Sequence, residues 1–355
     1  MKIHRFILVG AGGFGAAWCA HFIPKVTSFA QCTALVDIRQ DALDNAKQYK
    51  LVPDDRYYSD LELAIEENPC DFLAVVVPPE VRPGIIDIAI RYRLDVLSEK
   101  PVAGTMEECV TIYRKMKAAG LKIAVTMSHR MEREKQTLEH LVKSGTYGKL
   151  NYIYGRLAMK RASYPAIGRY AEIQTLPLYD VRRRGLSEGV IHELDTLRGI
   201  AGSNAAQVFC KYWLFDSAGS RKESCSFTQV TMENGVQCLI EHSSGNAATL
   251  NGWGNEHFRA ECEFATLTAD HQNVTLQSDL GLPFPSQAQM PLLDGEYFDH
   301  SLLIYDFCRW REGGPEPATS LEDNLQCLAL TFAALESAET GREIDVQEFL
   351  QKSLS

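Results

Sequence analysis

Phe6-Ile7-Leu8-Val9-Gly10-Ala11-Gly12-Gly13-Phe14-Gly15 is an apolar run that breaks into a glycine loop. Such a run followed by glycines reads as a strand, a tight turn and the start of a helix. Gly10, Gly12 and Gly15 fit G-x-G-x-x-G. In that pattern the first glycine permits the turn, the second lets a pyrophosphate approach the backbone, and the third lets helix and strand pack closely. Gly13 and Phe14 lie at the helix start, where unpaired N–H groups and a partial positive charge favour an anion. The pattern also demands a second strand ending in an acid. Thr33-Ala34-Leu35-Val36 runs into Asp37, 22 residues after Gly15. Asp37 is therefore placed to accept hydrogen bonds from the ribose hydroxyls of an adenine dinucleotide. Its charge repels a 2′-phosphate and favours NAD, although Arg39 two residues on could accept one, which keeps NADP open.

At 355 residues the chain exceeds the size at which a single core stops growing, so two domains are expected. No apolar run reaches the roughly 18 residues that span a bilayer. The first residues already read as a strand of the fold, without a small-residue cleavage site, and a cytoplasmic protein is expected. Ten cysteines are scattered singly, with no C-x-x-C pair or His-Cys spacing of a zinc site; they read as reduced structural thiols, and no metal is expected. A formal net charge of −10 argues against a nucleic-acid binder, which needs a basic face. A small-molecule substrate fits better.

Beyond Asp37, helices are expected over Gln40 to Tyr49 and Leu61 to Glu66, then a strand, Phe72-Leu73-Ala74-Val75-Val76-Val77. That run is apolar on both faces, as in the centre of a parallel sheet. Pro78-Pro79 stops it at the carboxyl edge, where nucleotide sites lie, which places Pro78 beside the cofactor. A helix near Gly84 to Arg93 and a strand, Asp95 to Ser98, deliver Glu99-Lys100-Pro101 to the same edge, before a helix from Met106 to Ala119 and a strand from Lys122 to Thr126. The alternation predicts a doubly wound α/β domain over residues 1–126. Residues 127–355 then read as an α+β domain on an open, largely antiparallel sheet. Within it, Gln229 to Met232 and Val236 to Ile240 flank Asn234-Gly235 as a hairpin. Phe258, Ala260, Cys262 and Phe264 alternate with charged residues as a strand with one apolar face, and helices are expected over Tyr297 to Arg311 and Leu321 to Thr340.

Two motifs carry a resemblance. Ser98-Glu99-Lys100-Pro101 follows the fifth strand, and Glu188-Gly189-Val190-Ile191-His192-Glu193-Leu194-Asp195 is similar to a D-x-x-x-H-x-x-D helix. With the glycine loop in the same order, the chain resembles the Gfo/Idh/MocA oxidoreductase family over essentially its whole length. The resemblance implies an NAD(P)-dependent dehydrogenase acting on a carbinol of a sugar, polyol or sugar acid, and a homo-oligomer formed through the open face of the C-terminal sheet. It also leaves two rivals: a glycosidase that oxidises its substrate transiently on bound NAD, and a nucleotide-sensing binding protein.

The chemistry falls on few residues. Lys100, at the sheet's carboxyl edge beside the nicotinamide end, can hold a substrate oxygen and stabilise charge on it. On a helical wheel Glu188, His192 and Asp195 fall at about 0, 40 and 340 degrees, opposite a stripe of Val190, Leu194, Leu197 and Ala201. This makes either a solvated face or an acid–base group, His192, with a carboxylate one turn away to orient its ring. Glu188 stands where many relatives have aspartate and serves as catalytic partner or substrate ligand. Residues 151–184 carry seven basic side chains, Arg169 and Arg184 among them, against two acidic ones. Guanidinium groups pair with carboxylate or phosphate, so an anionic substrate bound by Arg169 and Arg184 is one reading and a neutralised basic loop the other.

Overall fold

The computed structural model describes residues 2–159, 183–217, 221–246, 248–279 and 281–355. Arg169, expected in the substrate site, lies outside them. The chain divides into two compact units, one of Met1–Ser128 with Tyr297–Leu325 and one of His129–Glu296 with Gln326–Ser355.

The first unit is a six-stranded parallel sheet of β1 (His4–Val9), β2 (Ala30–Val36), β3 (Tyr57–Tyr58), β4 (Phe72–Val75), β5 (Asp95–Ser98) and β6 (Ile123–Val125), in the order β3-β2-β1-β4-β5-β6. That order reverses direction between β1 and β4, a topological switch point, with the glycine loop following β1. The central strands are buried on both faces, as their unbroken apolar runs require. Helix Met106–Ala118 begins in a capping box: Thr105 accepts from the Glu108 N–H while Glu108 bonds back to Thr105.

The expected division at residues 126 and 127 is incomplete, because residues 297–325 return to the first unit. Helix Asp299–Arg311 buries Ile304, Phe307 and Cys308 in the core with Phe6, Leu8 and Phe72. Phe307 meets Phe72 edge to face, with ring centroids 5.2 Å apart. Helical periodicity tells that a stripe is buried, not which core receives it.

The second unit is built on nine strands: β7 (Leu150–Ala158), β8 (Ala205–Ser217), β9 (Arg221–Met232), β10 (Gln237–Ser243), β11 (His257–Cys262), β12 (Thr266–Asp270), β13 (Asn273–Gln277), β14 (Gln287–Met290) and β15 (Ile344–Asp345). Their order is β14-β13-β12-β11-β7-β10-β9-β8-β15, antiparallel throughout except for β10 beside β7. The β9–β10 hairpin turns at Asn234-Gly235 as expected. Strand β11 is shorter than its alternation suggested. Pairing with β7 loses register between Glu261 and Cys262, and Phe264 leaves the strand to bond the Tyr147 carbonyl and stands 40 % exposed.

Phe307 is fully buried, so Phe307→Ala should cost about 3–5 kcal/mol. Urea unfolding of wild type and variant measures it; a loss below about 1 kcal/mol would contradict the placement of this helix in the nucleotide-unit core.

Candidate functional site

The glycine loop is shaped by contacts that only glycine allows. A Cβ on Gly10, whose φ is 100°, would run into the Val76 carbonyl, and one on Gly15 would run into the Gly10 carbonyl, whereas one on Gly13 would meet nothing within 4 Å. The loop is thus packed tightly on its inner side and open on its outer side, which suits the close approach of a pyrophosphate. Phe14 is 49 % exposed at the start of the helix. Asp37, at the end of β2, does more than sequence spacing suggested: its Oδ2 accepts from the N–H groups of Ala11 at 2.8 Å and Gly12 at 3.0 Å, and its Oδ1 from Arg39 N–H at 2.9 Å. The acid ties the glycine loop to the second strand. The Arg39 guanidinium, exposed, forks onto Asp41. Pro78 is exposed just beyond β4, and its carbonyl accepts from Val81 N–H at the start of the next helix.

Lys100 follows β5 and is half-buried. The chain around it is clamped by Arg82, a buried guanidinium whose Nε donates to the Val77 carbonyl at 2.8 Å and whose Nη1 donates to the carbonyls of Glu99 and Pro101. Glu99, expected among the cofactor-binding groups, turns its carboxylate inward. Oε1 accepts from Trp18 Nε1 at 3.0 Å and lies 3.6 Å from His300 Nε2. Burial works against its charge, yet His300, then Lys100 and Arg82, hold its carboxyl below the ordinary range. A buried carboxylate needs such partners, and Glu99 finds them in the protein.

In the second unit, helix Ile191–Ala201 is buried at every residue. The solvated polar face is therefore excluded. A π-helical turn, Gly185–Val190, precedes it, so the 100-degree wheel does not carry back to Glu188. Glu188 instead accepts from Arg184 Nη1 at 3.1 Å, an ion pair of two half-buried side chains. Asp195 is paired with Arg198 at 3.3 Å and approached by Arg130 at 4.0 Å.

His192, 4 % exposed, lies flat against a different residue, His129, with ring centroids 3.8 Å apart and planes 8° from parallel. His129 Nδ1 is 3.1 Å from Glu256 Oε1 and 4.0 Å from Glu193 Oε1. The other Glu256 oxygen accepts from the buried Lys135 ammonium, which also reaches Glu132 and lies 3.7 Å from Glu134. Against the effect of burial, His129 and Lys135 hold Glu256 well below the usual carboxylate range, while burial pushes Glu132 up to about 8. His129, Glu193 and Glu256 present donor atoms within 4.8 Å of one another, but with Lys135 on Glu256 the cluster already contains its cation and reads as an ion-pair network. Trp253 stands edge-on to both imidazoles, at 4.9 Å from His129 and 5.8 Å from His192. It is 42 % exposed and lines a cavity of about 300 Å³ with Met159, Thr249, Leu250, Asn255 and His271.

A family model described as an oxidoreductase family with an NAD-binding Rossmann fold, GFO_IDH_MocA, matches residues 4–127. The chain is 33 % identical to an uncharacterized protein, y4oX, of Sinorhizobium fredii over 98 % of its own length and 97 % of the relative's. The chain belongs to the Gfo/Idh/MocA oxidoreductase family. It is 27 % identical to the inositol 2-dehydrogenase of Corynebacterium glutamicum over 68 % of its length and 67 % of that protein. Its fold matches that of an oxidoreductase from Agrobacterium radiobacter, solved in complex with NAD+, L-tartaric acid and magnesium, with a TM-score of 0.79 at 17 % identity over 98 % and 99 % of the two chains. This Gfo/Idh/MocA member is an NAD(P)-dependent dehydrogenase acting on CH–OH groups, its nucleotide bound by the parallel-sheet domain.

Sequence reasoning missed His129, Lys135, Trp253 and Glu256. His129 carried a usable signal, since it stands four residues past β6, in Ser128-His129-Arg130. Trp253 and Glu256 arrive more than a hundred residues later through sheet pairing and carried none.

Because Asp37 holds two loop amides as well as facing the ribose in our reading, Asp37→Ala should weaken NAD by about 10-fold or more, the scale of lost charge-assisted bonds, and narrow the NAD to NADP affinity ratio. Fluorescence titration with both nucleotides checks this. An unchanged ratio would remove Asp37 from cofactor selection.

Proposed function

We propose that the enzyme interconverts a secondary alcohol and a ketone on a neutral sugar or polyol, with NAD supplying and receiving the hydride. His192 takes the hydroxyl proton in oxidation and returns it in reduction, and Lys100 holds the oxygen that gains charge. The observation that carries this reading is the placement of Trp253, packed at a steep angle to His192 and lining the cavity. An exposed indole flanked by Thr249, Asn255 and His271 offers an apolar surface for the C–H face of a sugar ring, with polar groups for its hydroxyls. The similarity to an inositol dehydrogenase supports the polyol class. Neutrality is favoured over a sugar acid because the Arg184 guanidinium already has a carboxylate, that of Glu188, beside it.

Two placements accompany this reading. Ten cysteines free of disulfides fit a reducing compartment, where we place the enzyme, and among the described residues no helix is long and apolar enough to cross a membrane. Phe209 on β8 and Phe227 on β9 are exposed at 37 % and 48 %, and we assign this face of the sheet to contact with a second copy. Phe227→Asp should then lower the molar mass measured by light scattering, and an unchanged mass would remove that face from the interface.

His192→Ala and Lys100→Ala should each keep NAD affinity while turnover falls by about 100-fold or more, and the double variant should lose less than the product of the two. The measurement is reduced nicotinamide formed with a panel of inositols, aldoses and their uronic acids. Normal turnover by His192→Ala would end the acid–base assignment; a preference for the uronic acids that weakens with salt would end the neutral-substrate assignment.

A further inference from the structure

Two imidazoles in face contact cannot both be charged without strong repulsion, since like charges at about 4 Å oppose each other by several kcal/mol in a partly buried setting. The 3.8 Å stack of His129 on His192 therefore holds at most one positive charge near neutral pH. The carboxylates decide which ring has it. His129 has its Nδ1 3.1 Å from Glu256 Oε1 and 4.0 Å from Glu193 Oε1.

Other charged groups on elements packed against the His192 helix make contacts of their own among the described residues. On the helix itself, Asp195 is paired with Arg198. Arg130, beside His129, reaches Asp195 and Glu139, and Glu139 also receives Lys143. On helix Arg133–Lys143, Lys135 serves Glu132, Glu134 and Glu256. Arg156 on β7 bonds Asn251, Glu241 on β10 accepts from Tyr154, Glu188 pairs with Arg184, and His242 on β10 is buried on the inner face of the sheet.

We propose that Glu256 and His129 are positioning residues for His192: Glu256 keeps the positive charge on His129, and the charged ring lying flat against His192 keeps His192 neutral and ready to accept a proton. The inference rests on the reading of His192 as the acid–base group. It adds a reason for burying a histidine stack against a carboxylate and Lys135, because the arrangement sets the pH at which that group works. Trp253 packs at a steep angle to both rings, 4.9 Å from His129 and 5.8 Å from His192.

The test is the pH profile of kcat/KM for alcohol oxidation. In the wild type the acid limb should fall below the ordinary histidine value of about 6.5. Glu256→Gln and His129→Asn should each move it upward by at least about one pH unit, a shift that a merely structural defect, which lowers the rate at every pH, does not produce. A limb within about 0.3 pH unit of wild type in both variants overturns the proposal while His192→Ala remains inactive. If His192→Ala turns over normally, the underlying reading has failed instead. Should Glu256→Gln not fold, His129→Asn and a titration of the histidine ring nitrogen shifts in the wild-type enzyme by NMR decide the matter. The expected result is one imidazolium, that of His129, persisting at pH 8 and absent from His129→Asn. Two neutral rings at pH 7, or the charge on His192, overturns the proposal.

Discussion

Charge removed from water must be met by charge or by hydrogen bonds nearby, and this constraint shapes both units. Helix Ile191–Ala201 has no exposed face, yet it carries Glu193, Asp195 and Arg198 as well as His192. Each charged group selects neighbours: Arg198 and Arg130 take Asp195, and the carboxylates of Glu193 and Glu256 gather at His129. His192 has the His129 ring stacked on one side and the Trp253 indole at a steep angle to it. The candidate base thus sits in surroundings made stiff by the pairing around it.

The nucleotide unit obeys the same rule with backbone dipoles in place of ions. Arg82 spends its guanidinium on three carbonyls at the ends of β4 and β5, and Asp37 spends its carboxylate on three amides at and after the ends of β1 and β2. Carboxyl edges of parallel strands expose carbonyls and turn amides that no ladder satisfies. Buried or half-buried side-chain charge fills that deficit, and it does so at the edge where the cofactor binds.

The parallel unit was legible in sequence because its signals are local: a glycine loop, an acid at a fixed distance, strands apolar on both faces, and helices with caps. Alternation announced a doubly wound parallel sheet, while the order of its strands came from the structure. The second unit was less open to such reading. Its hairpin at Asn234-Gly235 could be located, but β7 joins its neighbours β10 and β11 across 85 residues or more, which no short pattern announces. The return of Phe307 to the first core and the meeting of His129 with His192 and Glu256 are of this long-range kind. The helical wheel also misled for a physical reason: a π-turn changes the angular step ahead of Ile191, and a helix covered on all sides has no solvent face for polarity to mark.

The bridge from Asp37 to the glycine loop has an evolutionary consequence. In a fold of this type a change of cofactor is commonly sought by exchanging the acid that ends the second strand, because that position faces the 2′ oxygen. Here the same carboxylate is a structural tie for Ala11 and Gly12, so its loss would unfasten the turn that must cradle the pyrophosphate. A lineage adapting to the phosphorylated nucleotide would find position 37 closed and its neighbours permissive: Ile38 is 88 % exposed, and Arg39 is tied only to an exposed Asp41. Loop integrity is thus held at one residue, and variation around it has to begin next door.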